Sequence, residues 1–400
     1  MSSIPYGKQN IDEDDIQAVV DTLRSPFITT GPKVQEFERL IAEKVGAKYA
    51  LAVSNGTVAL HLACLALDLP TNYLGLTSPL TFAASANCIL YSHGNLDLVD
   101  IEKNSPNLCP SQLNTYCTSN KVDLVIPVSY AGIPANMPAI AKLSKQYSFK
   151  TIEDASHALG STYDYQGKTY HSGSCAHSDL AVFSFHPVKN IATAEGGMVL
   201  TNSKGLYEKL LRLRNHGMEK DSDLFVNKEQ AFSEGATNPW YYEVQSLGFN
   251  GRLSELHAAL GVSQMKKLES FKASRSKIVQ KYNDAFVSYS ILQAPSFTLD
   301  YTINPFYHLY PLRLKSGSTQ KDRLELYQYL KENGIAAQVH YVPIHKHPHF
   351  QKHLSNKSPY LNSEAFYQAE ISLPLFPSLT QEAQNKVIKT VIGFIDAIKQ

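Results

Sequence analysis

Residues 184–197 read Ser184-Phe185-His186-Pro187-Val188-Lys189-Asn190-Ile191-Ala192-Thr193-Ala194-Glu195-Gly196-Gly197, a polar connection closed by two glycines. It joins two short apolar runs, Ala181–Phe185 and Met198–Leu200, whose β-branched and aromatic content predicts strands. Lys189 stands in the middle of it, beside small residues, an odd position for a lysine that merely solvates a surface. If the site is buried and a cation lies nearby, the ammonium loses its proton more readily and the neutral amine can form an imine.

Working outward, further apolar runs at Tyr49–Val53, Leu96–Ile101, Leu124–Val128 and Lys150–Ile152 alternate with helical patterns. That alternation predicts a mainly parallel sheet covered by helices, an α/β domain. Ligands in such sheets bind beyond the carboxyl ends of the strands, so the residues that follow each strand come first. After Val53 comes Ser54-Asn55-Gly56-Thr57, small enough for backbone N–H groups and the Thr57 hydroxyl to face a phosphate at a helix N-terminus, or else a plain helix cap. After Ile152 comes Glu153-Asp154-Ala155-Ser156-His157. A carboxylate there is costly unless paired, so Asp154 either faces a protonated ring nitrogen or caps the following turn.

The pattern changes beyond Leu253, where a helical stretch to about Ala285 leads into strand candidates His308–Leu314, Ala336–His340 and Glu370–Leu373. The division is therefore placed between 1–255, an N-terminal arm with a large α/β domain, and 256–400, a smaller α+β domain. Apolar residues at helical spacing in Thr380–Lys399 predict a closing amphipathic helix. The segment Asp221–Pro239 is polar, lacks periodicity and reads as a mobile loop.

Thirty-seven Lys plus Arg against 36 Asp plus Glu give a net charge of +1, which offers no footprint for nucleic acid or a membrane surface. Neither a signal peptide nor a membrane-spanning run is visible, so the expected location is cytoplasmic. Cys64, Cys88, Cys109, Cys117 and Cys175 are scattered without a CxxC pair, which suits buried free thiols. His340, His345, His347 and His349 lack the fixed spacing and Cys or carboxylate support of a zinc site, so no metal is expected. No GxGxxG and no P-loop is found, which disfavours a nicotinamide or nucleoside triphosphate enzyme.

SNGTVALHLA, IEDASHALGS, SFHPVKNIATAEGGM and GFNGRLSELHAALG together resemble the sugar aminotransferases of the DegT/DnrJ/EryC1 family, over nearly the whole chain. The resemblance implies fold type I of the pyridoxal 5′-phosphate (PLP) enzymes. It implies Lys189 as the Schiff-base lysine, Asp154 as the partner of the pyridine nitrogen and His157 near the ring hydroxyl. Gly56, Thr57 and Ser184 would hold the phosphate, and Phe82, in PLTFAASAN, would cover the outer face of the ring. Asn250 would reach the phosphate from a neighbouring subunit, which implies a homodimer with shared active sites; many members carry an aromatic residue where this chain has Gly251. Further likeness in IPYGKQNIDEDDI, SPFITTGPKVQEFE, HPVKNIATAEGG, AAQVHYVPIH and AEISLPLF implies substrate contacts at Tyr6, Pro26, Phe27, Ile28 and Thr29, and at Gln338, Val339, His340 and Tyr341 from the partner subunit.

The implied reaction moves an amino group from L-glutamate to C4 of a UDP-linked 4-keto-6-deoxy-N-acetylhexosamine, on the route to pseudaminic acid. Three rivals stand beside it. They are another nucleotide-linked keto sugar, a dehydration in members where histidine replaces the lysine, and a non-catalytic nucleotide-sugar-binding protein of the same fold. Lys189 argues against the dehydration.

Overall fold

The computed structural model describes residues 3–295, 301–315, 320–354 and 359–398. The first nine strands of its N-terminal body are β1 (Tyr49–Val53), β2 (Leu74–Thr77), β3 (Asn95–Leu98), β4 (Leu124–Ile126), β5 (Lys150–Asp154), β6 (Thr162–Tyr165), β7 (Lys168–His171), β8 (Leu180–Ser184) and β9 (Gly197–Thr201). Seven form one sheet in the order β1-β9-β8-β5-β4-β2-β3, and β6 and β7 pair apart from it as a hairpin. Only β9 runs against its neighbours, β1 and β8; the pairs β8-β5, β5-β4, β4-β2 and β2-β3 are parallel. The carboxyl ends of β1, β4, β5 and β8 therefore lie along one edge, where β9 begins.

Side chains alternate across this sheet as the pleat requires: Leu51 and Val53 of β1 join one apolar cluster and Ala50 and Ala52 join the other. Helices cover both faces, so the strands read as near-continuous apolar runs. β2 escapes the sequence reading because it is short and contains Gly75. A Cβ at Gly75 would sit 2.8 Å from Ile89 Cγ2, so the glycine is what lets the helix Ala84–Tyr91 lie close.

Beyond residue 253 the helical stretch is two helices, Glu255–Met265 and Leu268–Phe286. The first packs against helices α1 (Glu13–Arg24) and α2 (Pro32–Val45), and its Ala258 and Val262 belong to the core of the large body. A separate apolar cluster begins at Ile278 and includes Tyr310, Leu312, Ile371, Val387, Val391 and Ile395. On this packing we place the division inside Leu268–Phe286, later than the sequence alone suggests.

The C-terminal unit is an antiparallel sheet of Leu292–Gln293, Tyr310–Leu314 and Glu370–Leu373 with helices against it, the last being Gln381–Ile398. Lys399, the expected end of that helix, lies outside the described residues. The expected strand Ala336–His340 does not form. Gln338 makes a single bridge to Ser372, while the His340 N–H donates to the Glu370 carboxylate at 2.9 Å instead of to a strand neighbour. Ile4 and Tyr6 bind this same unit: Ile4 N–H donates to Gly334 O at 2.9 Å, Ala336 N–H to Ile4 O at 2.8 Å and Leu375 N–H to Tyr6 O at 3.0 Å.

The segment 221–239 is not a bare loop, since it holds a helical turn, Lys228–Ala231, and a two-residue hairpin, Phe232–Ser233 with Ala236–Thr237. Glu243 pins its base by accepting from Val226 N–H at 2.8 Å and Asn227 N–H at 2.7 Å. These are local hydrogen bonds without apolar periodicity, which is why the sequence does not announce them. Among the described residues no helix is long and apolar enough to cross a membrane.

Candidate active site

β1 ends at Val53 and helix α3 (Gly56–Ala66) begins three residues later, capped by Asn55, whose Oδ1 accepts from Val58 N–H at 2.9 Å. Gly197, the first residue of β9, pairs with both Val53 and Ser184. A Cβ at Gly197 would lie 2.4 Å from Asn55 O, and one at Gly56 would lie 3.0 Å from Ser184 Cβ, so the two glycines allow the helix start and the end of β8 to touch. The first-turn N–H groups of Gly56 and Thr57 have no partner inside the helix, and the Ser184 hydroxyl stands beside them. This is a cradle for a phosphate.

Asp154 closes β5 and is buried, with 5% of its surface exposed. Its Oδ2 accepts from Ser85 Oγ at 2.6 Å and its Oδ1 from Ser156 N–H at 3.1 Å. Both donors are neutral, so a protonated ring nitrogen would bring the opposite charge that a buried carboxylate needs. Lys189 lies in the same cavity, in a loop held by its own N–H to His186 O at 2.8 Å and by Phe185 N–H to Gly196 O at 2.9 Å. Burial pushes its amine down to about 8, against a smaller opposing pull from Asp154.

His157 Nδ1 accepts from Ala131 N–H at 3.2 Å, so the neutral ring carries its proton on Nε2, which lies 3.2 Å from the Tyr341 hydroxyl. Burial, then the nearby Lys189 and His340, hold His157 well below the usual imidazole range. His308, with its ring centre 4.4 Å from that of His157, is lowered for the same first reason and also lines the cavity. His340 Nδ1 lies 2.8 Å from Ser372 Oγ, and burial, with Lys189 adding to it, pushes this imidazole down to about 3.

These groups line one cavity of about 630 Å³, a size that suits a cofactor and part of a substrate. It brings together Tyr6, Gly56, Thr57, Phe82, Asp154, His157, Ser184, Lys189, His340 and Tyr341. Phe82 is 59% exposed, its ring centre is 6.0 Å from that of Tyr341, and both rings line the cavity that holds Asp154 and Lys189. Pro26, Phe27, Ile28 and Thr29 are exposed and do not line the cavity; Thr29 is bridged to Ser254 and Ile28 O accepts from Glu255 N–H at 3.1 Å. Gln338 and Val339 also stay outside it.

His340 and Tyr341 were expected to enter from a partner. They line this chain's own cavity, because the segment after Gln338 is tied to Ser372 and Glu370 and turns back toward His157. Asn250 is exposed, bridged to Asn215 and outside the cavity of its own chain. The neighbouring Gly251 has a local reason: a Cβ there would sit 3.1 Å from Val58 Cγ1 in α3. His345, one of the clustered histidines, meets Glu364 Oε1 at 2.8 Å, and among the described residues no group of three ligands is placed to hold a metal ion.

Ser85, Ser156, His186, Glu195 and His308 are site residues that the sequence reading did not assign. Ser156, His186 and Glu195 lie inside the quoted motifs and were within its reach. Ser85 also lies inside a quoted motif, three residues after Phe82 in PLTFAASAN, whereas His308 comes from a distant segment and carries no motif. The donor set fits PLP: a buried carboxylate for the pyridinium, an amine of lowered basicity, and open N–H groups with a hydroxyl for the phosphate.

Comparison with known proteins agrees with this chemistry. Residues 9–392 match the DegT/DnrJ/EryC1/StrS aminotransferase family. The chain is 36% identical over 400 residues to a UDP-4-amino-4,6-dideoxy-N-acetyl-beta-L-altrosamine transaminase of Campylobacter jejuni, covering 99% of each chain. Among solved structures, Helicobacter pylori PseC, an aminotransferase of pseudaminic acid biosynthesis, superposes with a TM-score of 0.88 at 30% identity, over 99% of this chain and 100% of that one. A putative sugar aminotransferase from Streptococcus pneumoniae, Spr1654 in its PLP form, gives 0.85 at 26% identity, over 99% of each.

Proposed function

Because the chain belongs to the DegT/DnrJ/EryC1/StrS aminotransferase family, whose cofactor is PLP, we propose that it aminates C4 of a UDP-linked 4-keto-6-deoxy-N-acetylhexosamine. The amino group comes from L-glutamate and the product is UDP-4-amino-4,6-dideoxy-N-acetyl-β-L-altrosamine, for pseudaminic acid. The observation that carries this reading is the meeting of Lys189, Asp154 and the N-terminus of α3 in one cavity. The named relatives supply the sugar.

When bound, the cofactor supplies an electron sink that lets a proton leave the carbon bearing the amino group. Asp154, fixed by Ser85 and Ser156, would pair with the ring nitrogen and keep it protonated. Gly56, Thr57 and Ser184 would hold the phosphate, and Phe82 would pack on the ring. His157 keeps its Nε2 proton within reach of Tyr341, and the two would stand near the ring hydroxyl. Lys189 Nζ, neutral above about pH 8, takes and returns the proton at the reacting carbon. Tyr6 and His340 stand where a sugar would enter.

The proposal includes a homodimer with shared sites and a cytoplasmic location. Support for the dimer is the run of exposed apolar side chains at Val226 (80%), Trp240 (77%), Val244 (64%) and Leu247 (85%), next to Asn250. A patch of this kind is unusual on a protein that works alone. Asn250 would then complete the phosphate site of the partner.

The test is an absorbance spectrum of the PLP-loaded protein before and after L-glutamate, in wild type and Lys189→Ala, followed by addition of the UDP-keto sugar. The visible band of the loaded wild type should fall with glutamate and return with the sugar, and Lys189→Ala should do neither. A wild type that shows no band defeats the enzyme reading. A band that responds to glutamate but not to this sugar keeps the aminotransferase and moves the substrate to another keto sugar.

A further inference from the structure

Glu370 and Ser372 are fully buried on the strand Glu370–Leu373, two residues apart and so on one face of it. Ser372 Oγ donates to Glu370 Oε1 at 2.5 Å, and the His340 N–H donates to Glu370 Oε2 at 2.9 Å. Ser372 Oγ is also 2.8 Å from His340 Nδ1. With the Ser372 proton committed to Glu370, its oxygen accepts from Nδ1–H. The ring then keeps Nε2 bare, as the nitrogen it can offer to the cavity that it lines with Lys189.

We propose that Glu370, Ser372 and His340 form a proton relay that opens into the cavity beside Lys189, with the buried Glu370 carboxylate as its terminal acceptor. It rests on the aminotransferase reading, because an amino donor arrives as an ammonium ion and must lose a proton before its nitrogen can attack. That proton binds His340 Nε2. The Nδ1–H bond breaks as its proton passes to Ser372 Oγ, and the Ser372 O–H bond breaks as its proton passes to Glu370 Oε1. The result is a neutral carboxylic acid, a neutral serine and a neutral imidazole whose proton has changed nitrogen, so one proton has left the cavity and no electron has moved.

The surroundings favour this end state. Burial pushes Glu370 up to about 8, outweighing the hydrogen bonds from Ser372 and the His340 N–H and the positive charge of Arg323. Arg313 faces Glu370 in strand register, and the Tyr130 and Tyr341 phenols lie close enough to feel its charge. His340 faces Lys189, Tyr6, Tyr341, His157 and His308, and burial holds it at about 3. The imidazole is therefore a poor place to leave a proton, and Glu370, a carboxylate above about pH 8, is a good one there.

The test follows the His340 ring nitrogens by NMR in isotope-labelled full-length protein, with and without PLP, with the signal assigned by His340→Gln. The proton should sit on Nε2 below about pH 8 and on Nδ1 above it. Glu370→Gln should remove the change, Ser372→Ala should uncouple it, and Ser372→Thr should preserve it. In the PLP-loaded protein Ser372→Ala should slow the glutamate half-reaction by about 100-fold while Ser372→Thr restores it, as expected for loss of a proton acceptor. A His340 tautomer that ignores both pH and Glu370→Gln overturns the relay, and so does a Ser372→Ala half-reaction at the wild-type rate. A wild type with no half-reaction at all fails the parent reading instead, a result seen before any relay variant is made.

Discussion

A lysine amine pushed down to about 8 is mostly protonated at pH 7 and mostly free at pH 9. Capture of PLP by the cofactor-free protein needs the free amine, so its rate should rise about tenfold per pH unit below 8 and level off above it. Stopped-flow absorbance measures this directly, and a rate flat from pH 6 to 9 would show that burial does not set the Lys189 amine. Asp154→Asn should retain the fold and the cofactor but lose about 10²–10³-fold in kcat/KM, the usual scale for removing a fixed charge partner. Lys189, Asp154, Gly56 and Thr57 were legible in the sequence because each stands in a short motif that follows an apolar run. His308, Glu370 and Ser372 were not assigned, because chain topology brings them to the site, and Ser85 was passed over although it lies in the same motif as Phe82. Pro26 to Thr29 mark the opposite case, a familiar stretch of text whose side chains remain exposed and away from the cavity.

Between β1, β8 and β9 the phosphate cradle depends on backbones that nearly touch. Gly197→Ala puts a methyl group 2.4 Å from Asn55 O, and neither partner is a flexible side-chain end. The variant should lose about 1–3 kcal/mol in urea denaturation, the usual cost of overpacking, and should bind PLP more weakly because α3 is displaced from Ser184. An unchanged PLP affinity would mean that the cradle tolerates the shift. The same scale explains the elements misread from sequence. β2 is interrupted by Gly75, which serves helix packing, and Ala336–His340 has strand-like composition but gives its N–H to a carboxylate. In each case a single tertiary contact outweighs local propensity.

For the whole molecule, the proposed homodimer would use the segment that carries Asn250, where Trp240 and Leu247 are exposed. Trp240→Glu should convert a dimer to monomers in light scattering and abolish sugar amination, although Lys189 and Asp154 are untouched. Mixing inactive Lys189→Ala with inactive Asn250→Ala should restore part of the activity, since a shared site is intact in one half of the mixed dimer. No recovery after verified subunit exchange would leave each site within one chain. The α/β class was legible from alternating patterns; we propose the division into two units inside Leu268–Phe286, because Glu255–Met265 continues the helical pattern while packing backward onto α1 and α2. One further consequence belongs to the N-terminal arm. Ile4 and Tyr6 precede the whole large sheet in the chain, yet the backbone groups that hold them belong to Gly334, Ala336 and Leu375. Domains tend to fold as they emerge from the ribosome, but the wall of the cavity that contains Tyr6 must wait until Leu375 has been made. A chain released early can build the sheet and present Lys189 and Asp154, but it has no means of closing the site around them.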